Sequence, residues 1–188
     1  HGSLDEFLTA RLCAAALSLG VHWFLGTRYA GLPVTWPLGP RVLIGGLGLG
    51  FTLREALRQL APDAEVVVAE LLAEVIAWNA EPAYDLSAEA MRDARVRIVH
   101  DDVSNVLRAG AAGFDAIMLD TDNGPDGMLM SENAQLYAIR GIERTIAALR
   151  PPGVIACWSV GDDPRFLHSL QRAKLRVDGG PSRELLPT

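Results

Sequence analysis

The stretch Arg41-Val-Leu-Ile-Gly-Gly-Leu-Gly-Leu-Gly50-Phe-Thr-Leu-Arg-Glu55 limits the possible folds more than any other part of the chain. A short β-branched run leads through closely spaced glycines into a helical pattern. Glycines at such a junction let bare backbone approach a ligand, and the helix that follows offers unpaired N–H groups. This is the outline of a nucleotide-cofactor site. Glycines after a strand also simply make a tight turn, so the downstream residues must decide between the two readings.

The next apolar run, Glu65-Val-Val-Val-Ala-Glu70, ends in an acid where a second parallel strand would emerge at the same sheet edge. Open α/β sheets bind ligands at the carboxyl ends of their strands, and an acid there can accept hydrogen bonds from ribose hydroxyls. Glu70 is the ribose candidate. A third run, Val96-Arg-Ile-Val99, is followed by His100-Asp101-Asp102, and a fourth, Phe114-Asp-Ala-Ile-Met-Leu119, by Asp120-Thr-Asp122-Asn-Gly-Pro125. Any one of these aspartates is readily explained as an N-cap or Asx-turn residue. Three successive strands that end in carboxylates, in step with a glycine loop, are harder to explain in that way.

The remaining pattern alternates. Strands are expected at about 41–45, 65–69, 96–99, 114–119 and 153–158, with helices from 52, 72, 103, about 132 to 149, and from 164. Near-continuous apolar strands alternating with helices give an α/β architecture with a doubly wound, mostly parallel sheet. Residues 1–40 read as an N-terminal helix, with Leu8, Leu12, Ala15 and Ala16 at helical spacing, followed by a Pro/Gly-rich loop from Gly26 to Pro40. In that loop Trp23, Tyr29 and Trp36 read as anchors to the body or to a second subunit, or else as a lid. Residues 41–188 form the cofactor-binding part of what is expected to be a single domain.

With 188 residues and 49% hydrophobic content the chain can bury a substantial core, and its net charge of -6 comes without any basic block. A nucleic-acid partner is therefore not expected, because phosphate binding depends on clustered cations. The only membrane-like stretch, Leu12 to Leu25, is too short to span a bilayer as a helix and carries Ser18 and His22. Cys13 and Cys157 lie far apart without metal-type spacing, which points to buried thiols in a reducing, cytoplasmic compartment and to no metal site. Asp5 and Glu6 stand where a signal peptide needs basic residues, and His1-Gly-Ser3 has the look of a tag remnant.

At these residues the chain resembles the spermidine synthase-like group of class I S-adenosylmethionine-dependent transferases. The resemblance runs from about Asp5 to about Val177. It is carried by Asp5-Glu-Phe7, by Ile44-Gly-Gly with Thr52-Leu-Arg-Glu55, by Val68-Ala-Glu70 with Glu74-Val-Ile76, and by Asp102. Phe114 to Asp120 with Gly124-Pro125, Leu136-Tyr137 and Ala148-Leu-Arg-Pro-Pro-Gly153-Val-Ile155 complete it. It implies a class I methyltransferase-like Rossmann fold, and a donor that is S-adenosylmethionine or its decarboxylated form, leaving S-adenosylhomocysteine or methylthioadenosine. Gly46, Gly48 and Gly50 would pack against the methionine part, Glu70 would hold the ribose diol, and Asp102, with Asp101 beside it, would meet the adenine. Asp120, with Asp122 as a second member, would handle a small amine acceptor, taking its proton or holding it in line with the sulfonium.

The departures are as informative. Spermidine synthases usually carry an Asp inside the glycine loop for the amino end of the decarboxylated donor, and here the loop reads Gly46-Leu-Gly-Leu-Gly50. Thr9-Ala10 replaces the usual Tyr-His pair, and Trp158-Ser159 replaces an expected Gln. The small N-terminal β-domain of that group is not legible, nor is a clear final strand after Leu175-Arg-Val177. A site lacking that wall would be closed by the Gly26 to Pro40 loop or by another subunit in a homodimer, or would stay open. Two alternatives stand beside amine alkylation: a degenerate, non-catalytic binding module of the same fold, and a NAD-type dehydrogenase. The second draws on Glu70 lying twenty places after Gly50, but the loop lacks the Gly-x-Gly-x-x-Gly pattern.

Overall fold

The structure, a computed structural model, describes residues 9–13, 39–84, 86–110, 112–121, 135–158, 164–173 and 175–179. In chain order the elements are β1 (Thr9–Cys13), β2 (Arg41–Gly45), α1 (Phe51–Gln59), β3 (Glu65–Glu70), α2 (Ala73–Ala80), α3 (Ala88–Met91) and β4 (Val96–His100). They continue with α4 (Val103–Ala109), β5 (Phe114–Leu119), α5 (Ile139–Ala148), β6 (Leu149–Trp158), α6 (Pro164–Arg172) and β7 (Arg176–Gly179). The strands form one seven-stranded sheet in the order β4-β3-β2-β5-β6-β1-β7, and every pairing is parallel.

Both faces of this sheet are covered, as the continuous apolar runs demand. Along β2, Val42 and Ile44 join Val66, Val68, Ala116 and Met118 in one core with Leu53, Ala56 and Leu60 around α1. Leu43 faces the other way, into a core of Val67, Ile117, Leu119 and Ile155 with Leu107, Ile142, Phe166 and Leu170. Each odd–even step along a strand thus changes the layer it packs against, which is why these strands show no polar face. The chain runs outward from β2 to β3 and β4 on one side and returns to β5 on the other. That reversal puts a crevice between the carboxyl ends of β2 and β5, where open α/β sheets take their ligands.

The N-terminal segment differs from expectation. Helical spacing suggests a helix beginning near Leu8, yet Thr9–Cys13 is a strand inserted between β6 and β7, with Thr9 opposite Val154 and Arg176. Over five residues the 3.6 and 2 periods are hard to tell apart, and the open backbone edges of two neighbouring strands outweigh a weak local preference. A final strand, β7, is present and pairs with β1 in parallel rather than in an antiparallel hairpin. The expected helix from 132 is seen as α5 from Ile139, because Ala138 is extended at φ -71° and ψ 162°. Residues 14–38, with Trp23, Tyr29 and Trp36, lie outside the described residues, as does Asp122.

Candidate functional site

The carboxyl ends of β4, β3, β2 and β5 lie side by side, and each delivers sequence-predicted residues. Asp101 and Asp102 follow β4, Glu70 closes β3, Gly46, Gly48 and Gly50 follow β2, and Asp120 follows β5. Backbone hydrogen bonds knit the row together. Gly46 N–H donates to the Ala69 carbonyl at 2.8 Å, Asp120 N–H to the Gly45 carbonyl at 2.8 Å, and Asp101 N–H to the Glu70 carbonyl at 3.1 Å.

The glycine loop uses its residues in different ways. Gly46, at φ +98°, lies so close to the next strand end that a Cβ there would overlap the Asp120 carbonyl oxygen. Gly48 has φ +51°, and a Cβ built on it meets nothing within 4 Å. Its left-handed backbone requires glycine while its surroundings are open, as expected where a ligand lies against the chain. Gly50 N-caps α1 without a side-chain cap, and the first turn of that helix carries no acid. The first-turn amides of α1 therefore retain the capacity to meet an anion.

Glu70 is buried, and its carboxylate is shared between two backbone donors. Leu47 N–H reaches Oε2 at 2.8 Å and Leu72 N–H reaches Oε1 at 2.9 Å. A carboxylate has about four acceptor positions, so two remain for a diol once these are filled. The same acid therefore both shapes the glycine loop and faces the ligand crevice. Asp102 caps α4 by accepting from Ser104 N–H at 2.7 Å, and its own N–H donates to Asp101 Oδ1 at 2.7 Å, which also receives Asn105 Nδ2. The N-cap role and the cofactor role expected for Asp102 are compatible, because the cap uses Oδ1 alone.

On the far side of the loop, Thr52 Oγ1 donates to Asp120 Oδ2 at 2.6 Å. This bond ties the fourth strand end to the first turn of α1, and orients the carboxylate rather than leaving it to solvent. Next along the chain, the hydroxyls of Thr121 and Tyr137 lie 2.7 Å apart, and Tyr137 meets Phe166 edge-on with ring centroids at 5.4 Å. Burial pushes the Tyr137 phenol well above its ordinary range, with smaller upward contributions from Cys157 and Asp120 and an opposing one from Thr121. Tyr137 therefore stays protonated and can serve as a hydrogen-bonding support but not as a base.

Two supports carry no sequence signal. Asn79 on α2 donates Nδ2 to the Gly48 carbonyl at 2.8 Å, and Ser87 Oγ donates to Asn79 Oδ1 at 2.6 Å. Neither lies at a strand end or in a motif. Thr52 belongs to a recognisable helix start, but its bond to Asp120 spans 68 positions and is visible only once the fold is known. Among the described residues no group of three or more His, Cys, Asp or Glu is placed to hold a metal ion, and no helix is long and apolar enough to cross a membrane.

No family model matches the sequence. A polyamine aminopropyltransferase of Mycobacterium tuberculosis is 33% identical over 117 residues, 61% of this chain and 21% of that protein. Putrescine N-methyltransferase 4 of Nicotiana tabacum is 32% identical over 136 residues, 69% of this chain and 33% of that protein. The chain is spermidine synthase-like, a homologue of these two groups. It spans about a fifth to a third of their length. Among solved structures, human methyltransferase-like protein 13 in complex with SAH superposes with a TM-score of 0.50 at 17% identity, over 74% of this chain and 60% of that one. Spermidine synthase from Thermotoga maritima gives 0.49 at 25% identity, over 61% and 36%. The first of these places the spermidine synthase-like chain on the class I methyltransferase fold.

Proposed function

We propose that this spermidine synthase-like chain alkylates a small amine with an S-adenosylmethionine-type donor. The observation that carries the reading is the convergence, at adjacent strand ends, of an open glycine backbone at Gly48, a carboxylate with acceptor positions to spare at Glu70, and the oriented acid Asp120. These residues fit the donor. The loop takes the methionine part, Glu70 the ribose hydroxyls, and Asp101 with Asp102 the adenine, and the row of carboxylates favours both a sulfonium and a cationic amine.

The donor supplies an electrophilic carbon on a positively charged sulfur. A neutral amine forms the new C–N bond as the C–S bond breaks, the electron pair leaves on sulfur as a thioether, and the amine must lose a proton. Asp120, held by Thr52, is placed to take that proton or to orient the amine through a charge-assisted hydrogen bond. Asp122 is a second candidate for this role.

The leucines at 47 and 49 bear on which donor is used. The loop offers no carboxylate for the ammonium of an aminopropyl donor, and α1 begins without a side-chain cap or an acid. Both features suit a donor that keeps its carboxylate, which favours intact S-adenosylmethionine and methyl transfer. The homologous putrescine N-methyltransferases make such a transfer a natural expectation. Calorimetric titration with S-adenosylmethionine, its decarboxylated form, methylthioadenosine and NAD tests the reading. Binding of NAD without binding of any adenosyl sulfur compound would overturn it, and a binding-competent chain inactive toward every small amine would point to the degenerate module.

A further inference from the structure

We propose that Asn79 is a positioning residue that sets the shape of the glycine loop, and through it the affinity for the donor. The proposal rests on the donor-binding reading above, but its structural half stands on geometry alone. Asn79 lies near the end of α2, 1% exposed, where an asparagine is a poor helix former and an apolar residue would bury at no cost in polar groups. Its amide is fully engaged instead. Nδ2 donates to the Gly48 carbonyl at 2.8 Å and to the Val75 carbonyl at 2.9 Å, while Oδ1 accepts from Ser87 Oγ at 2.6 Å.

The placement explains why the loop keeps one face free. On the inner side the Gly48 carbonyl is held by Asn79, and Gly50 packs so tightly against Ser87 that a Cβ there would overlap the serine side chain. On the outer side Gly48 meets nothing within 4 Å. One residue earlier, Leu47 N–H is held by Glu70. Successive peptide units are thus fixed from opposite directions, one by the ribose candidate and one by the buried amide of Asn79. A loop held before the ligand arrives does not have to be ordered on binding, which is how preorganisation raises affinity.

Asn79→Asp is the sharpest test, because it keeps the shape while turning the Nδ2 donor into an acceptor that faces the Gly48 and Val75 carbonyls. Ser87→Ala removes only the group that orients the amide. Asp115→Asn, at the opposite end of the sheet, serves as a control for general loss of stability. Amide hydrogen exchange over residues 46–53 is measured without ligand, and affinity for S-adenosylmethionine by calorimetry. Loss of one buried hydrogen bond predicts that Asn79→Asp speeds loop exchange and weakens binding, each by about tenfold or more. Ser87→Ala should show a smaller effect of the same kind, and Asp115→Asn neither. Unchanged loop exchange in Asn79→Asp overturns the proposal, as does faster exchange with unchanged affinity or an equal rise in Asp115→Asn. If the parent binds no adenosyl sulfur compound, the functional reading fails instead, and loop exchange alone decides whether Asn79 holds the loop.

Discussion

Two buried carboxylates at opposite edges of the sheet, Asp115 and Glu70, are bound in contrasting ways. Asp115, near the start of β5, is closed off by a cation. Arg150 approaches its oxygens at 2.9 and 3.2 Å while also donating to the Gly113 carbonyl, and Arg41 N–H adds a bond of 2.7 Å. Glu70, at the end of β3, is 7% exposed against 5% for Asp115, so burial does not distinguish them. Among the described residues its hydrogen bonds come from backbone amides alone. A guanidinium neutralises and saturates a carboxylate, whereas two amides leave it charged and half satisfied. The first arrangement builds a protein edge, and the second holds a charge ready for something absent from the fold.

The largest expected effect belongs to Asp120, the other oriented acid at the ligand edge. Asp120→Asn keeps the shape and the bond to Thr52 possible but removes the charge. Turnover should fall by ~10²-fold or more, a typical contribution from a positioned acid or base, while donor affinity persists. Steady-state kinetics with a small amine, paired with calorimetry, measure both. If the Asn variant turns over like the parent, Asp120 is a turn residue and the two edges do not divide chemistry from structure.

Exchanging the roles of the two buried acids tests the comparison directly. Glu70→Ala should weaken donor binding by ~1–3 kcal/mol, the range for a hydrogen bond to a charged group. Asp115→Asn should lower unfolding free energy by ~1–3 kcal/mol, since it strands the Arg150 guanidinium, and leave donor affinity unchanged. Chemical denaturation and calorimetry on both variants give a two-by-two result. Equal losses of stability with no difference in affinity would erase the distinction.

A smaller effect concerns donor choice. With leucines at 47 and 49 and an uncapped α1, intact S-adenosylmethionine should bind at least as well as the decarboxylated compound. An unpaired ammonium beside apolar side chains is costly to desolvate. A strong preference for the decarboxylated donor in a competition titration would show that another acid, Asp122 first, supplies the missing charge.

What the sequence made legible at the ligand edge is what depends on short range. The glycine loop, Glu70, Asp101, Asp102 and Asp120 could be placed because each follows an apolar run whose parallel arrangement puts strand ends together. Strand pairing confirms that arrangement along β4-β3-β2-β5. What stayed hidden depends on contacts between distant positions: Asn79 reaching Gly48 across 31 residues, Thr52 reaching Asp120 across 68, and Arg150 reaching Asp115 across 35. The helix expected from Leu8 failed for the same reason, since Thr9–Cys13 is a strand by virtue of β6 and β7, which lie more than 130 residues later. Burial of Glu70 gave no hint in the sequence that its two oxygens already serve Leu47 and Leu72.

The smallest effect lies at the structural edge, where a third carboxylate sharpens the contrast by titration. Asp93, in the turn before β4, accepts from Arg95 Nε at 3.0 Å, from Arg95 N–H at 2.9 Å and from a terminal Arg95 nitrogen at 2.8 Å, while the same guanidinium donates to the Leu60 carbonyl at the end of α1. The side-chain bond from Arg95 is the main cause that lowers the Asp93 pKa from 3.8 to about 2. A depressed folded value means that the unfolded chain binds a proton first, so this stabilisation is fully present above pH 3.8 and is lost as pH falls toward 2. The pair is partly exposed, and a contribution of about 1 kcal/mol or less is expected. Asp93→Asn should therefore lower stability slightly at pH 6 and flatten the acid limb between pH 4 and 2 in urea titrations, with donor affinity unchanged. An acid limb identical in variant and parent would mean that Arg95 holds the turn through the Leu60 carbonyl alone, and that cation pairing at this edge shapes the chain without storing stability in Asp93.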